Sequence, residues 1–292
     1  MARLTQKLGV LFLKLLQFLL VFIGLQRTRF AARCIGNVFY YLIPIRKKVV
    51  LENLSSAFPE KSLSNLKQIA RRTYQNITIT FSELLLFTSI SINNMKLLVR
   101  TENLDEMKSL INENKGVIFW TGHIGSWEVG GSVLGLLLEK PIYCLAKKQS
   151  NSALNELIKD AREAHGNKVI WLGTSVRHLF EVLLSGGIVG VVGDQRGPAD
   201  SPRVSFFGKP TSFYTGTASI INKTKCNVIL TAAVRERNGN YKGIVEKLNM
   251  ENLPEKYEDQ ILEINQRYAN FLEKVIKQYP DQYFWMHKIW KH

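Results

Sequence analysis

Cysteine is scarce in this sequence of 292 residues: Cys34, Cys144 and Cys226 are all there is, and they share no CxxC or metal-ligand spacing. That excludes a disulfide-stapled scaffold, and the three read as reduced core residues of a cytosolic environment. Long apolar runs are equally few. With a mean hydropathy of −0.05, at most one stretch approaches the ~20 residues that cross a bilayer, so a polytopic membrane protein is excluded. Signature motifs are missing too: no HExxH for a zincin, no GxSxG elbow for a serine hydrolase, and no Walker loop or GxGxxG after a strand. What remains is 46% hydrophobic and 22% charged. That suits a substantial core in one large α/β domain or two small ones, and it rules out wholesale disorder.

Acidic residues are outnumbered, 24 against 39 lysines and arginines, for a net charge of +15. Such a balance favours an anionic partner: nucleic acid, lipid or an acidic protein. Its distribution discriminates among these. The first fifty residues hold nine basic side chains (Arg3, Lys7, Lys14, Arg27, Arg29, Arg33, Arg46, Lys47 and Lys48) and no acidic one. They bracket the run LGVLFLKLLQFLLVFIGL at 8–25, which as a helix extends roughly 27 Å against a bilayer core of about 30 Å. Lys14 in its middle sets a transmembrane span against a helix lying in the headgroup plane with its lysine snorkelling. A cleaved signal peptide would need a small-residue cleavage site, which is absent. Residues 1–45 are therefore expected to be a membrane anchor or interfacial segment, with the body on the cytoplasmic side of the membrane.

Further along, 46–95 reads as a helical lead-in, with apolar residues at three-and-four spacing, Pro59 as a break and Ser62 as a cap. Short apolar runs then alternate with amphipathic stretches. Strands are expected at 116–120, 142–146, 169–171, 188–192, 228–233 and 241–245, and helices at 127–138, 151–165, 176–184, 215–224 and 255–278. The fold class this implies is α/β, a central sheet flanked by helices, so that 46–292 forms one catalytic domain.

The segment WTGHIGSWEVGG follows the GVIFW strand and opens a helix. Ligands collect at the carboxyl ends of strands in open α/β sheets, which is where His123 and Glu128 fall. A carboxylate five residues after a histidine can accept a hydrogen bond from one imidazole nitrogen and leave the other free as a base. Gly122 and Gly125 permit the tight backbone and offer amides for an oxyanion. A loop histidine bonded to backbone, with an ordinary first-turn glutamate, fits the same spacing. A second polar cluster, Asp194, Gln195 and Arg196, follows the strand IVGVV, and two such loops on one sheet could share one cleft. No protein nucleophile is evident, which suits direct attack by a substrate hydroxyl. His165 and His178 read as surface or helix-end residues, and His287 as either bordering the site or packing the last segment.

Taken in order, the apolar amino-terminal helix, RKKVVLENLSSAFPE, TGHIGSWE, DQR, SFFGKP with TGTASI, and YFWMHKIWK resemble the late lipid A acyltransferases. This lauroyl/myristoyl acyltransferase family is related to the glycerolipid acyltransferases, and the likeness covers nearly the whole chain. It implies a mixed sheet and an HxxxxE site in which His123 is the general base and Glu128 its orienting partner. A lipid A precursor hydroxyl would attack an acyl thioester on acyl carrier protein, or less readily coenzyme A, with no metal and no cofactor. By the same likeness Asp194, Gln195 and Arg196 lie near the phosphorylated acceptor or the thioester carbonyl. Two positions depart from the family pattern: Ser126 stands where asparagine is frequent, and Lys288-Ile289 where a pair of arginines is frequent.

Other classes fit less well. A nucleic-acid-binding module would need a strongly basic body, yet only six of the fifteen net charges lie outside the first fifty residues. A non-catalytic membrane scaffold and an acyltransferase for another glycolipid or aminolipid use the same amino end. No nucleic-acid partner is expected; a lipid acceptor, a carrier protein and a membrane are.

Overall fold

Every residue of the VIFWT run is apolar except its last, as a strand requires when both faces of its sheet are covered. The computed structural model, which describes residues 2–102, 104–111, 113, 115–173 and 176–290, with backbone alone at 2–8, 10 and 176, places that run centrally in a seven-stranded sheet. The elements are α1 (Ala2–Ile23), α2 (Leu25–Tyr41), α3 (Lys47–Ala57), α4 (Leu63–Leu86), α5 (Ile92–Lys96), β1 (Val99–Thr101), α6 (Leu104–Ile111), β2 (Val117–Thr121), α7 (Trp127–Leu138) and β3 (Ile142–Ala146). They continue with α8 (Ser152–Glu163), β4 (Lys168–Trp171), α9 (Val176–Leu184), β5 (Ile188–Val192), β6 (Arg203–Phe206), β7 (Lys209–Ser212), α10 (Gly216–Thr224), β8 (Asn227–Arg235), β9 (Tyr241–Lys247) and α11 (Tyr257–Gln278).

The strand order is β1-β9-β8-β2-β5-β3-β4. Neighbours run parallel except β8 and β9, so the sheet is mixed. Alternation along β2 divides the core. Ile118 and Trp120 join the cluster of α10 and α11, whereas Val117 and Phe119 join that of α6 and α7. Trp120 stacks on Tyr268 of α11, rings 4.0 Å apart and within 8° of parallel, an arrangement that adds about 0.5–1.5 kcal/mol to the burial of either ring. The register sets Thr121 beside Val192, so the loops leaving β2 and β5 emerge side by side. The elements that escape the sequence periodicity include the short helix α6, β1, only three residues long, and the β6–β7 hairpin, whose loop residues Phe207 and Gly208 both take positive φ (52° and 68°) as a type I′ turn demands.

The amino-terminal helices belong to the body. Gly24 (φ 80°) ends α1 and restarts the chain as α2, which lies so close to α4 that a Cβ on Gly36 would sit 2.6 Å from the Gln75 Cα. Inside this layer Glu83 of α4 accepts from Arg29 Nε (2.7 Å), Arg235 Nη2 (3.3 Å) and the Tyr241 hydroxyl (2.5 Å). The network ties α2, α4, β8 and β9 together. Among the described residues no helix is long and apolar enough to cross a membrane; within α1, Lys14 and Gln17 interrupt the apolar run and Gly24 follows its end. Cys34 is exposed on α2, not in the core, while Cys226 is buried.

Glu83 is 1% exposed between two arginines at 5% and 6%. Glu83→Gln leaves two guanidinium groups without their counter-charge, and it is expected to cost about 3–5 kcal/mol in denaturant unfolding of the purified protein.

Candidate active site

His123 stands two residues past β2. Its backbone N–H donates to Asp194 Oδ2 (2.9 Å) and its ring Nδ1 lies 2.6 Å from Asp194 Oδ1. One carboxylate, two residues past β5, thus grips both the main chain and the ring. Asp194 is fully buried and the His123 side chain 16% exposed. Burial alone would push the Asp194 carboxyl up. The His123 ring, through its charge and its hydrogen bonds, and His287 outweigh it and hold the group below the usual carboxylate range. An ionised Asp194 makes Nδ1 the donor, so in the neutral imidazole Nε2 is the basic nitrogen. The phenols of Tyr268 and Tyr283 are pushed well above their ordinary value, first by burial and then by Asp194, so they remain uncharged beside it.

The pairing of His123 with Glu128 expected from spacing does not form. Glu128 is the second residue of α7, and its side chain turns toward α8. There Arg162 holds it bidentately (Nη2 to Oε1 2.7 Å, Nε to Oε2 3.0 Å), and the Trp127 indole N–H donates to Oε1 (3.0 Å). Burial opposes the charge on Glu128, but Arg162, Trp127 and His123 keep its carboxyl below the usual range. The bonded link from Glu128 to the histidine runs through Trp127, whose ring meets the His123 imidazole edge-on at 4.8 Å. Sequence reasoning missed Arg162, which sits in an ordinary amphipathic helix pattern with nothing local to mark it.

Gly125 (φ 61°) allows the loop to press on β8, where a Cβ would sit 1.9 Å from the Ala233 carbonyl oxygen. Its amide donates to the Gln282 carbonyl (2.9 Å), so it is not free to stabilise an oxyanion as the sequence suggested. Gly122 faces Asp194, 3.3 Å from where its Cβ would lie. Gln195 and Arg196 are exposed on the rim after Asp194, with Arg196 bridged to Phe213. Segment 282–287 closes the other side: Tyr283 bridges Ile124, the Phe284 amide donates to the His123 carbonyl (2.9 Å), and the His287 ring lies 5.1 Å from that of His123. His165, expected at the surface, is buried, with Nδ1 3.1 Å from Ser132 Oγ and Nε2 2.9 Å from the Ile90 carbonyl; His178 is half exposed.

Beside Trp127 and Thr121 a cavity of about 90 Å³ runs between α7 and the sheet, walled mostly by apolar groups such as Phe119, Leu134, Ile142 and Val245. Glu128 and Arg162 line it as well. Cys144 also borders it, its thiol pushed up to about 12, chiefly by burial, and hence protonated. Among the described residues no cluster of three or more His, Cys, Asp or Glu side chains is arranged to hold a metal ion.

A family model described as bacterial lipid A biosynthesis acyltransferase matches residues 2–292. The chain is 24% identical over 260 residues to the lipid A biosynthesis palmitoleoyltransferase of Escherichia coli (strain K12), covering 88% of this chain and 82% of that protein. It is similar to the same extent, with the same coverage, to the lipid A biosynthesis acyltransferase of Shigella flexneri.

His287 supplies a pH test of this geometry. Burial, then the nearby charges of His123 and Arg46, outweigh Asp194 and lower its pKa from 6.5 to about 4. The unfolded chain therefore binds the proton first. The stability this residue contributes is complete above pH 6.5 and is lost as pH falls toward 4, at up to about 1.4 kcal/mol per pH unit. Urea unfolding of His287→Gln is expected to show a flatter decline over that window than the unsubstituted protein.

Proposed function

The chain belongs to the bacterial lipid A biosynthesis acyltransferase family, and from that premise we propose that it transfers a fatty acyl group from an acyl thioester to a hydroxyl of a lipid A precursor, with His123 as general base. The observation that carries the reading is the hold of Asp194 on His123 beside an apolar cavity. Nε2 of His123 takes the proton of the acceptor hydroxyl as its oxygen attacks the thioester carbonyl. Asp194, across the ring, stabilises the imidazolium that forms. A C–O bond forms, the C–S bond breaks, and the proton passes from His123 to the departing thiolate, so the products are an ester and a free thiol.

Asp194 thereby takes the positioning role that HxxxxE spacing assigned to Glu128. Glu128 fixes Trp127 against the histidine and, with Arg162, forms part of the cavity wall. The cavity receives the acyl chain, because its lining matches hydrocarbon and Trp127, which meets the His123 ring edge-on, forms part of its wall. Gln195 and Arg196 face the phosphorylated acceptor or the thioester from the rim. The donor is acyl carrier protein, an acidic partner drawn by exposed lysines such as Lys147 and Lys148 after β3. The chain works at the inner membrane with its body in the cytoplasm, where thioester donors are made.

In an assay with acyl carrier thioester and lipid A precursor followed by mass spectrometry, His123→Ala is expected to abolish transfer. Asp194→Asn should lower kcat by about a hundredfold or more with little change in KM. Full transfer by either variant overturns the reading, and transfer only to another glycolipid or aminolipid relocates the acceptor.

A second outcome concerns the cavity. A Cβ on Gly190 would point among its lining, 3.0 Å from Ile142 Cγ2 and 4.0 Å from Cys144 Sγ. Gly190→Val is expected to shift donor preference toward shorter acyl chains in competition assays.

A further inference from the structure

The amides around His123 are already engaged. The N–H of His123 donates to Asp194 Oδ2 (2.9 Å), that of Ile124 to the Gly122 carbonyl (2.8 Å), that of Gly125 to the Gln282 carbonyl (2.9 Å) and that of Ser126 to the Ala233 carbonyl (2.9 Å). In the neighbouring loop the Gly193 amide donates to the Thr121 carbonyl (2.9 Å). A thioester under attack gathers negative charge on its carbonyl oxygen, and stabilising that charge calls for a donor fixed in advance. None of these amides can serve without giving up a bond it already makes.

A second imidazole stands beside the base. The His287 ring lies 5.1 Å from that of His123, at 64° to it, and its Nε2 is buried without a hydrogen-bond partner among the described residues. A buried polar atom left in this state is costly, and in a native fold it points to a role. Its placement is firm. Asn53 of α3 donates through Nδ2 to the carbonyls of both Trp285 (2.8 Å) and His287 (2.5 Å), and Arg46 Nη1 donates to the Met286 carbonyl between them (3.0 Å). Phe284 packs edge-on against the imidazole, ring centres 4.6 Å apart. The backbone that carries the ring is therefore pinned from α3, as preorganised catalysis requires.

We infer that His287 is a second catalytic residue, whose ring N–H donates to the thioester carbonyl oxygen as that oxygen becomes an oxyanion. The acceptor oxygen adds to the carbonyl carbon while its proton passes to His123 Nε2. The electron pair of the C=O bond moves onto oxygen, where His287 meets it; its return expels the thiolate, which takes the proton back from His123. Two imidazoles divide the work. Burial is the chief reason that the His287 pKa falls to about 4, which keeps this ring uncharged at neutral pH. A neutral donor suits the place, since a second cation 5.1 Å away would oppose the imidazolium that forms on His123. The inference rests on the acyl-transfer reading above and adds the group that stabilises its intermediate.

Transfer from acyl carrier thioester to lipid A precursor is measured with the purified full chain carrying His287→Ala or His287→Gln, the second of which retains an N–H donor of similar reach. His287→Ala is expected to lower kcat by about a hundredfold to a thousandfold with KM little changed. His287→Gln is expected to restore kcat to within about tenfold of the unsubstituted protein. Calorimetry with a ketone analogue of the donor, in which a methylene replaces the thioester sulfur, is expected to give one Kd for all three proteins, because the contact strengthens only as charge develops. A packing role would weaken analogue binding along with the rate and leave glutamine no better than alanine; either result overturns the inference. So does a His287→Ala protein that keeps the unsubstituted kcat. No transfer by the unsubstituted chain overturns the acyl-transfer reading and this inference together.

Discussion

Asp194 is a buried carboxylate whose cost in desolvation is met chiefly by one neighbour, His123, with help from His287. Taking such a charge out of water is unfavourable by several kcal/mol unless hydrogen bonds replace the lost solvent, and His123 supplies two, from its amide and its ring. Much of the surrounding architecture serves this contact. β2 and β5 must be adjacent and in register for the two loops to meet. Gly193 must be glycine-sized, since a Cβ there would fall 2.1 Å from the Trp120 indole nitrogen. Trp120 in turn is fixed by its stack on Tyr268, whose hydroxyl donates to the Thr121 carbonyl (2.7 Å) at the strand end. Strand order, core packing and proton chemistry thus converge on one pair of side chains.

A second buried charge system does for the amino-terminal layer what Asp194 does for the loops. Glu83 gathers Arg29, Arg235 and Tyr241, and Arg235 also reaches Asn76 Oδ1 (2.7 Å). The same α4 helix offers Thr80, whose hydroxyl donates to the Gly125 carbonyl (3.1 Å) in the active-site loop. The helix that receives α2 therefore also braces the histidine loop. The amino-terminal helical layer and the histidine loop share a mechanical support, which couples the position of α2 to that of His123.

Much of the fold was legible because its signals are local. The helices at 127–138 and 176–184 coincide with α7 and α9, and the apolar runs at 142–146 and 188–192 with β3 and β5. The three-residue β1 and the hairpin around Phe207-Gly208 lack enough alternation to declare themselves. At the site, position was readable but pairing was not. Both polar loops follow strands, as inferred, yet the carboxylate for His123 lies 71 residues away, and only the strand order makes it a neighbour. Glu128 was close in sequence and wrongly aimed, because a helix beginning at Trp127 projects its second side chain toward α8 and Arg162. His165 gave no sign of burial, since its partners, Ser132 and the Ile90 carbonyl, come from distant segments.

The loop that carries His123 is completed by segment 282–287, through the Gln282 carbonyl, the Phe284 amide and the Tyr283 bridge. Those contacts join positions about 160 residues apart, so they carry the entropic cost of closing a long loop. The imidazole is therefore set in place only once the sheet has brought two remote stretches of chain together, and its orientation reports on the integrity of the whole body.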